Sequence, residues 1–321
     1  MSITMRDVAA RAGVSLKTVS RVVNGEAHVR PEIQAKVDEA IAFLRWRPNP
    51  AARALRSGKT GIIAVAVPSL THPFNARLTE AVVSDIAWRG LQADVTPSPS
   101  GSQVSHIIAS VGRSADAVVL IDLPVDASVA DGAPVVSLMS RLPAIDSVLP
   151  DLGMAASIVS KHSAVLDRHH PLVVGCDRFE GYEDLLRSCW HKDGIDQMAE
   201  PIQMVSTRAD GYVITGQILD GDRPDVIVAG SDDIALGLLA GLTEAGLRVP
   251  QDVAVIGFDN LEDDMFSYPS LTSLDSDPGL LSRIALDRIG ERIEGLAGAP
   301  RVDEVPVTLI RRESTLGIGT L

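Results

Sequence analysis

The chain has 321 residues, 45% of them hydrophobic, with 29 Lys+Arg against 42 Asp+Glu and a formal net charge of −13. That length exceeds what one hydrophobic core usually serves and predicts two or three domains, and the composition excludes a disordered, collagen-like or disulfide-stapled chain. The two cysteines, Cys176 and Cys189, show no Cys-x-x-Cys spacing, no apolar run is long enough to cross a bilayer, and no apolar leader precedes the first helical pattern, so a cytoplasmic location is expected.

Charge is divided unevenly. Residues 1–60 hold 11 Lys+Arg against 5 Asp+Glu, and the remainder hold 18 against 37. A basic head on an acidic body confines contact with a polyanion to the head.

Residues 5–24 read as two short helices about a tight turn. Thr4 is placed to cap the first by accepting from amides of its opening turn, and Val8, Ala9 and Ala12 give it an apolar face. Gly13 supplies the left-handed residue that stops it, and Ser15 caps the second. That second helix turns Val19, Val22 and Val23 inward and leaves Leu16, Lys17, Ser20 and Arg21 outside. The pattern is a helix-turn-helix whose second helix offers donors to a DNA groove; an amphipathic helix pair with no nucleic-acid role is the alternative. A third helix is predicted from Pro31, with Ile33, Val37, Ile41 and Leu44 at helical spacing. Between Asn49-Pro50 and Gly58 the pattern allows a helix of about two turns, too short to hold alone in water.

The runs RDVAARAGVSLKTVSRVVN, HVRPEIQAKVDEAIAFL and RPNPAARALRSGKTGIIAV resemble the LacI/GalR family of bacterial transcription regulators. The resemblance implies a second helix lying in the major groove. Leu16, Lys17 and Arg21 would then face base edges, with Ser15, Thr18, Ser20, Asn24 and His28 near phosphates. It also implies that residues 50–57 are a hinge helix and that Leu55 wedges between base pairs in the minor groove. The chemistry agrees: arginine makes a bidentate contact to guanine, and a leucine on a helix with little core of its own suits a wedge. Arg30 departs from the family's usual serine or threonine cap, forgoing about 1 kcal/mol of capping.

Beyond residue 60 the pattern changes. Nearly continuous apolar runs at 61–68, 117–121, 134–138, 172–175, 226–229 and 253–258 are the mark of strands buried on both faces. Helical patterns at 74–90, 151–168, 181–191, 209–220, 232–246 and 278–296 separate them. This alternation predicts an α/β body with doubly wound parallel sheets, and its length calls for two lobes. We divide the chain into a head (1–45), a hinge linker (46–60), a first lobe (61–150 with about 276–298) and a second lobe (151–275 with about 299–321). Crossings are expected near 148–151, 272–275 and 298–303, as in the type I periplasmic-binding-protein fold that the region resembles.

Ligands of open α/β sheets sit beyond the carboxyl ends of the strands. That rule selects Ser69, Phe74 and Asn75 in the first such loop, then Arg178, then Ser231 and Asp232, then Asp259. An arginine fork, carboxylates, hydroxyls and an amide suit a neutral polyhydroxylated ligand such as a sugar. The family resemblance supports Arg178, which precedes Gly181-Tyr182, and Asp259, which follows Gly257-Phe258; Asp232 falls where the family has Asn-Asp. A surface ion pair or helix cap is the alternative for each. Ser231 replaces the family's usual asparagine, and residues 204–208 lack the aromatic many members stack on their ligand.

Other signals fail on spacing. Ser57-Gly58-Lys59-Thr60 ends like a phosphate loop but has Arg53 where glycine is required. Asp220-Gly221-Asp222 begins like a calcium loop but has Ser231 in place of the closing glutamate. His169 and His170 are adjacent and lack further ligands at metal spacing. No nucleophile elbow is present. The expected protein is therefore a homodimeric repressor without cofactor, not an enzyme. Its partners would be a near-palindromic duplex operator and a small-molecule effector, a sugar or sugar derivative. A non-regulatory binding protein, or a regulator without an effector, is the competing reading.

Overall fold

The computed structural model describes residues 3–23, 29–46, 58–97, 100–123, 133–175, 179–221, 223–296 and 298–317. They form two compact units, Met1–Gly61 with Gly112–Ser114, and Ile62–Val111 with Ala115–Leu321.

In the first unit, α1 (Met5–Ala12), α2 (Leu16–Val23) and α3 (Pro31–Leu44) enclose a small core of Val8, Ala9, Val19, Val37, Ala40 and Trp46. Gly13 stands at φ +65 and closes α1 as expected. At the other end Thr4 and Asp7 form a capping box. The Thr4 hydroxyl donates to Asp7 Oδ2 (2.8 Å), which also accepts from the Thr4 amide (2.7 Å). Ser15 does cap α2: its Oγ accepts from the Thr18 amide at 3.1 Å. Arg30 makes no side-chain cap to α3. Trp46, assigned to the linker from sequence, belongs to the head instead; Arg45 turns left-handed after α3, and the Trp46 amide donates back to the Ile41 carbonyl at 3.1 Å. The rest of the linker up to Ser57, including Leu55, lies outside the described residues, as do Asn24 and His28.

The second unit holds two sheets. The first comprises β1 (Ile62–Val67), β2 (Gln92–Pro97), β3 (Ala117–Ile121), β4 (Val135–Leu138), β5 (Asp146–Pro150) and β10 (Val302–Val305). Its order is β10-β5-β4-β3-β1-β2, and every pairing is parallel. The second comprises β6 (Pro171–Val174), β7 (Val226–Ala229), β8 (Ala254–Phe258), β9 (Thr272–Asp275) and β11 (Thr308–Ile310). Its order is β11-β9-β8-β7-β6, with β11 antiparallel.

The period of two decides which helices cover which face. Ile63, Val65, Val67, Val119 and Ile121 pack against α4 (Pro73–Trp88) and α11 (Pro278–Ile293), whereas Ala64, Ala66, Val118 and Leu120 face Val104 and Ile108 of α5 (Gly101–Ile108). In the second sheet Val173, Val226, Val228 and Ile256 face α6 (Leu152–Val165) and α7 (Tyr182–Lys192). Leu172, Val174, Ile227, Ala229 and Val255 face α8 (Arg208–Asp220) and α9 (Asp232–Glu244). Each such valine, leucine or isoleucine, fully withdrawn from water, contributes about 1.5–3 kcal/mol.

The lobe division needs one correction. Residues 299–321 were assigned to the second lobe, but β10 pairs with β5 in the first sheet, Val302 opposite Ser147. The third crossing therefore falls after Val305, not near 298–303. The first two crossings follow β5 and β9, so the fold matches the two-lobed class expected.

Candidate functional sites

Of the DNA-facing candidates, Ser15 precedes α2, and Leu16, Lys17, Thr18, Ser20 and Arg21 lie on it. Ser15 fixes the start of α2, and Val19 is fully buried beneath it. The opposite side of α2 presents Leu16, 44% exposed, with Lys17 and Arg21 also exposed and Thr18 and Ser20 half-buried. Val19, with Val22 and Val23 packed partly buried beside it, fixes the helix and leaves its basic side chains outward. The Arg11 guanidinium lies 3.2 Å from the ring centroid of Phe43, tying α1 to α3 by a cation–π contact.

Between the lobes a cavity of about 490 Å³ opens beyond the strand ends. Its wall includes Ser69, Thr71, His72 and Asp122 from the first lobe and Ser206, Arg208, Ser231 and Asp233 from the second. A second cavity of about 710 Å³ shares Asp122 and runs past Arg141, Phe179, Glu180 and Glu304.

Of the predicted ligand residues, Ser69 and Ser231 take places in the wall. Ser231 also caps α9, accepting from the Ile234 amide at 3.4 Å. Phe74 does not line the cavity: it is fully buried with Leu78 and Val82 on the inner face of α4. Asn75 is 4% exposed, and its Oδ1 has no hydrogen-bond partner among the described residues. Asp232 is enclosed as well. Its carboxylate accepts from the Leu261 amide (2.9 Å) and from Ser273 Oγ (2.6 Å), which ties α9 to the loop after β8. Arg178 lies outside the described residues. Asp259 is fully buried; its amide donates to the Leu274 carbonyl at 2.8 Å.

Five residues escaped the sequence reading. Asp122 directly follows the β3 run, so the strand-end rule alone could have found it; it adopts φ +46. Asp233, one residue beyond Asp232, is the carboxylate on the wall, and Arg208 donates to it at 2.9 Å and to Asp263 at 2.8 Å. Arg77 of α4 reaches the other lobe, donating to the carbonyls of Asp259 (2.8 Å) and Asn260 (2.7 Å). Asp264, in α10 (Asp263–Phe266), is fully buried beside Asp232, with Arg312 at 3.7 Å. Burial and the adjacent Asp232 charge push Asp264 up to about 9. Burial raises Asp232 too, but its two outside donors make it the charged member of the pair. Among the described residues, no group of three or more His, Cys, Asp or Glu could hold a metal ion.

A helix-turn-helix with a basic outer face, carried by a chain whose remainder is a two-lobed α/β body with an interlobe cavity, defines a class of DNA-binding regulators. Residues 4–49 match the family of bacterial regulatory proteins, lacI family, and residues 172–315 match the periplasmic binding protein-like domain. The lactose operon repressor of Escherichia coli (strain K12) is 29% identical over 334 residues, covering 99% of this chain and 92% of that protein. Catabolite control protein A of Priestia megaterium is 29% identical over 299 residues, covering 85% and 87%. The crystal structure of the lac repressor dimer bound to operator and the anti-inducer ONPF superposes with a TM-score of 0.85 at 26% identity, covering 98% and 99%. The head is thus a lacI-family DNA-binding domain, and the chain is a DNA-binding transcription regulator of the LacI type.

Proposed function

We propose that this protein is a repressor that binds a near-palindromic operator as a homodimer and whose affinity is set by a small polyhydroxylated effector in the interlobe cavity. The observation that carries this reading is the α2 surface: a Ser15-capped helix held by Val19 with Leu16, Lys17 and Arg21 outward. Arg21 and Lys17 supply donors to base edges, and Ser15, Thr18 and Ser20 approach phosphates. Asn24, His28 and Leu55 join them on the family's pattern.

For the effector, the cavity offers hydroxyls, an imidazole and the Asp122 carboxylate, groups that hydrogen-bond a sugar. The names of relatives point the same way, among them the lactose and ribose operon repressors of E. coli (strain K12), as does a solved CelR–cellobiose complex. For the dimer, Met265, Phe266 and Tyr268 are 56%, 77% and 75% exposed, an apolar run that a second copy would cover.

Selection of bound fragments from genomic DNA tests the reading. Recovery of a shared near-palindrome, released or retained more tightly on adding one of a panel of mono- and disaccharides, is expected. Retardation without any sugar response would indicate a regulator lacking such an effector, and sugar binding without retardation would indicate a simple binding protein.

A further inference from the structure

Arg77 lies in the first turns of α4, in the first lobe, yet its guanidinium ends on the second lobe 182 residues away. One nitrogen donates to both the Asp259 and Asn260 carbonyls, and another stands 3.8 Å from Asp275. The turn it grips is strained: Asp259 has φ +127 and Asn260 φ +52, both in the region that side-chain-bearing residues avoid. The turn's other anchors come from its own lobe. Asn260 donates from its amide to Ser273 Oγ (3.0 Å) and from Nδ2 to Asp275 (3.0 Å), and its Oδ1 accepts from Arg312 (2.6 Å). The next residue, Leu261, is bonded to Asp232, which adjoins Ser231 and Asp233 of the cavity wall.

We propose that Arg77 is the positioning residue of the effector cleft, gripping the Asp259–Asn260 turn from the opposite lobe so that closure of the lobes and the shape of the cavity wall are set by one guanidinium. This rests on the effector reading above. The planar guanidinium directs both hydrogens of one nitrogen at two adjacent carbonyls while its other nitrogen stands near Asp275, a fixed geometry that a lysine ammonium matches in charge but not in reach. Because the turn strains without its partner, loss of Arg77 loosens the turn and opens the lobes together.

The test uses the full chain without ligand, comparing wild type with Arg77→Gln and Arg77→Lys by hydrogen exchange and small-angle scattering. Arg77→Gln is expected to speed exchange of the amides of residues 259–261 by about tenfold and to enlarge the radius of gyration, with β6 and β7 amides unchanged. Arg77→Lys should fall between, a partial rescue that a merely space-filling role would not produce. Wild-type exchange and radius in Arg77→Gln would overturn the proposal, as would faster exchange spread evenly through both sheets. If Arg77→Gln does not fold, Arg77→Lys decides alone: unchanged exchange at 259–261 overturns it. Operator retardation on the same preparations reads the DNA-binding role separately, so failure of the grip and failure of the functional reading remain distinguishable.

Discussion

Gly237 of α9 faces the carbonyl oxygen of Arg208 on α8 so closely that no β-carbon fits between them; one built there would also stand 2.8 Å from the Tyr212 amide nitrogen. Gly211 does the reverse, from α8 onto the Ile234 carbonyl. The two glycines let the helix backbones touch, and that contact sets Arg208 beside Asp233 on the cavity wall. Gly237→Ala should force the helices apart and cost about 1–3 kcal/mol in chemical denaturation, as overpacking does. A wild-type midpoint would show that the helices can part without loss.

Lys17→Ala and Arg21→Ala should each weaken operator binding by about 1–3 kcal/mol and relax base preference. Competition against random duplex checks this. Equal losses on both duplexes would identify phosphate contacts instead.

Ser15→Ala removes the acceptor for the Thr18 amide. A lost cap of this kind costs about 1 kcal/mol. In so small a head the loss should appear as a lower melting midpoint of its helices and weaker retardation of operator, both read on the full chain.

Two buried groups titrate in opposite senses. Asp264 is raised from 3.8 to about 9, so between those values the folded chain holds a proton that the unfolded chain has released, and stability falls as pH rises. His162 donates to or accepts from Thr315 Oγ1 at 3.0 Å, and burial with the Arg311 charge lowers it from 6.5 to about 4. Its contribution is present above 6.5 and lost as pH falls toward 4. The two oppose each other below pH 6.5, and above it the Asp264 slope continues without the histidine's. Urea midpoints should therefore decline from pH 6.5 to 9, by at most about 1.4 kcal/mol per unit for one proton. Asp264→Asn should flatten that decline; an unaltered slope would place the proton elsewhere.

Asp122 has no hydrogen bond or ion pair to its carboxylate among the described residues, although it borders both cavities. An unpaired acceptor at a strand end is available to a ligand donor. Asp122→Ala should abolish the sugar response of operator binding while leaving the melting midpoint unchanged, measured by retardation and calorimetry. A full response in the variant would exclude the contact.

Much of this architecture is legible in the chain because buried parallel strands are written as unbroken apolar runs: β3 and β7 start with their runs at Ala117 and Val226, and β8 starts at Ala254, one residue inside its run. The edge strands are not. β2 alternates partly covered and exposed residues, and β10 reads Val-Asp-Glu-Val with a single buried side chain, so neither carries the signal, and the third crossing was misplaced in consequence. Within the site, adjacent residues on one helix turn point about 100° apart. Sequence could select the start of α9 but not decide between Asp232, which turns inward, and Asp233, which reaches the wall. Arg77 was hidden for another reason: its partners lie in a different lobe, and no local pattern records a contact made by folding alone.

The chain passes between the lobes three times, after β5, after β9 and between β10 and β11. Like a door hung on three pins, such a joint allows one swing and resists sliding or twisting, because either would stretch at least one connection. Molecules of different size that bridge the two walls should then drive the same rigid movement, differing in how often they hold it and not in where it ends.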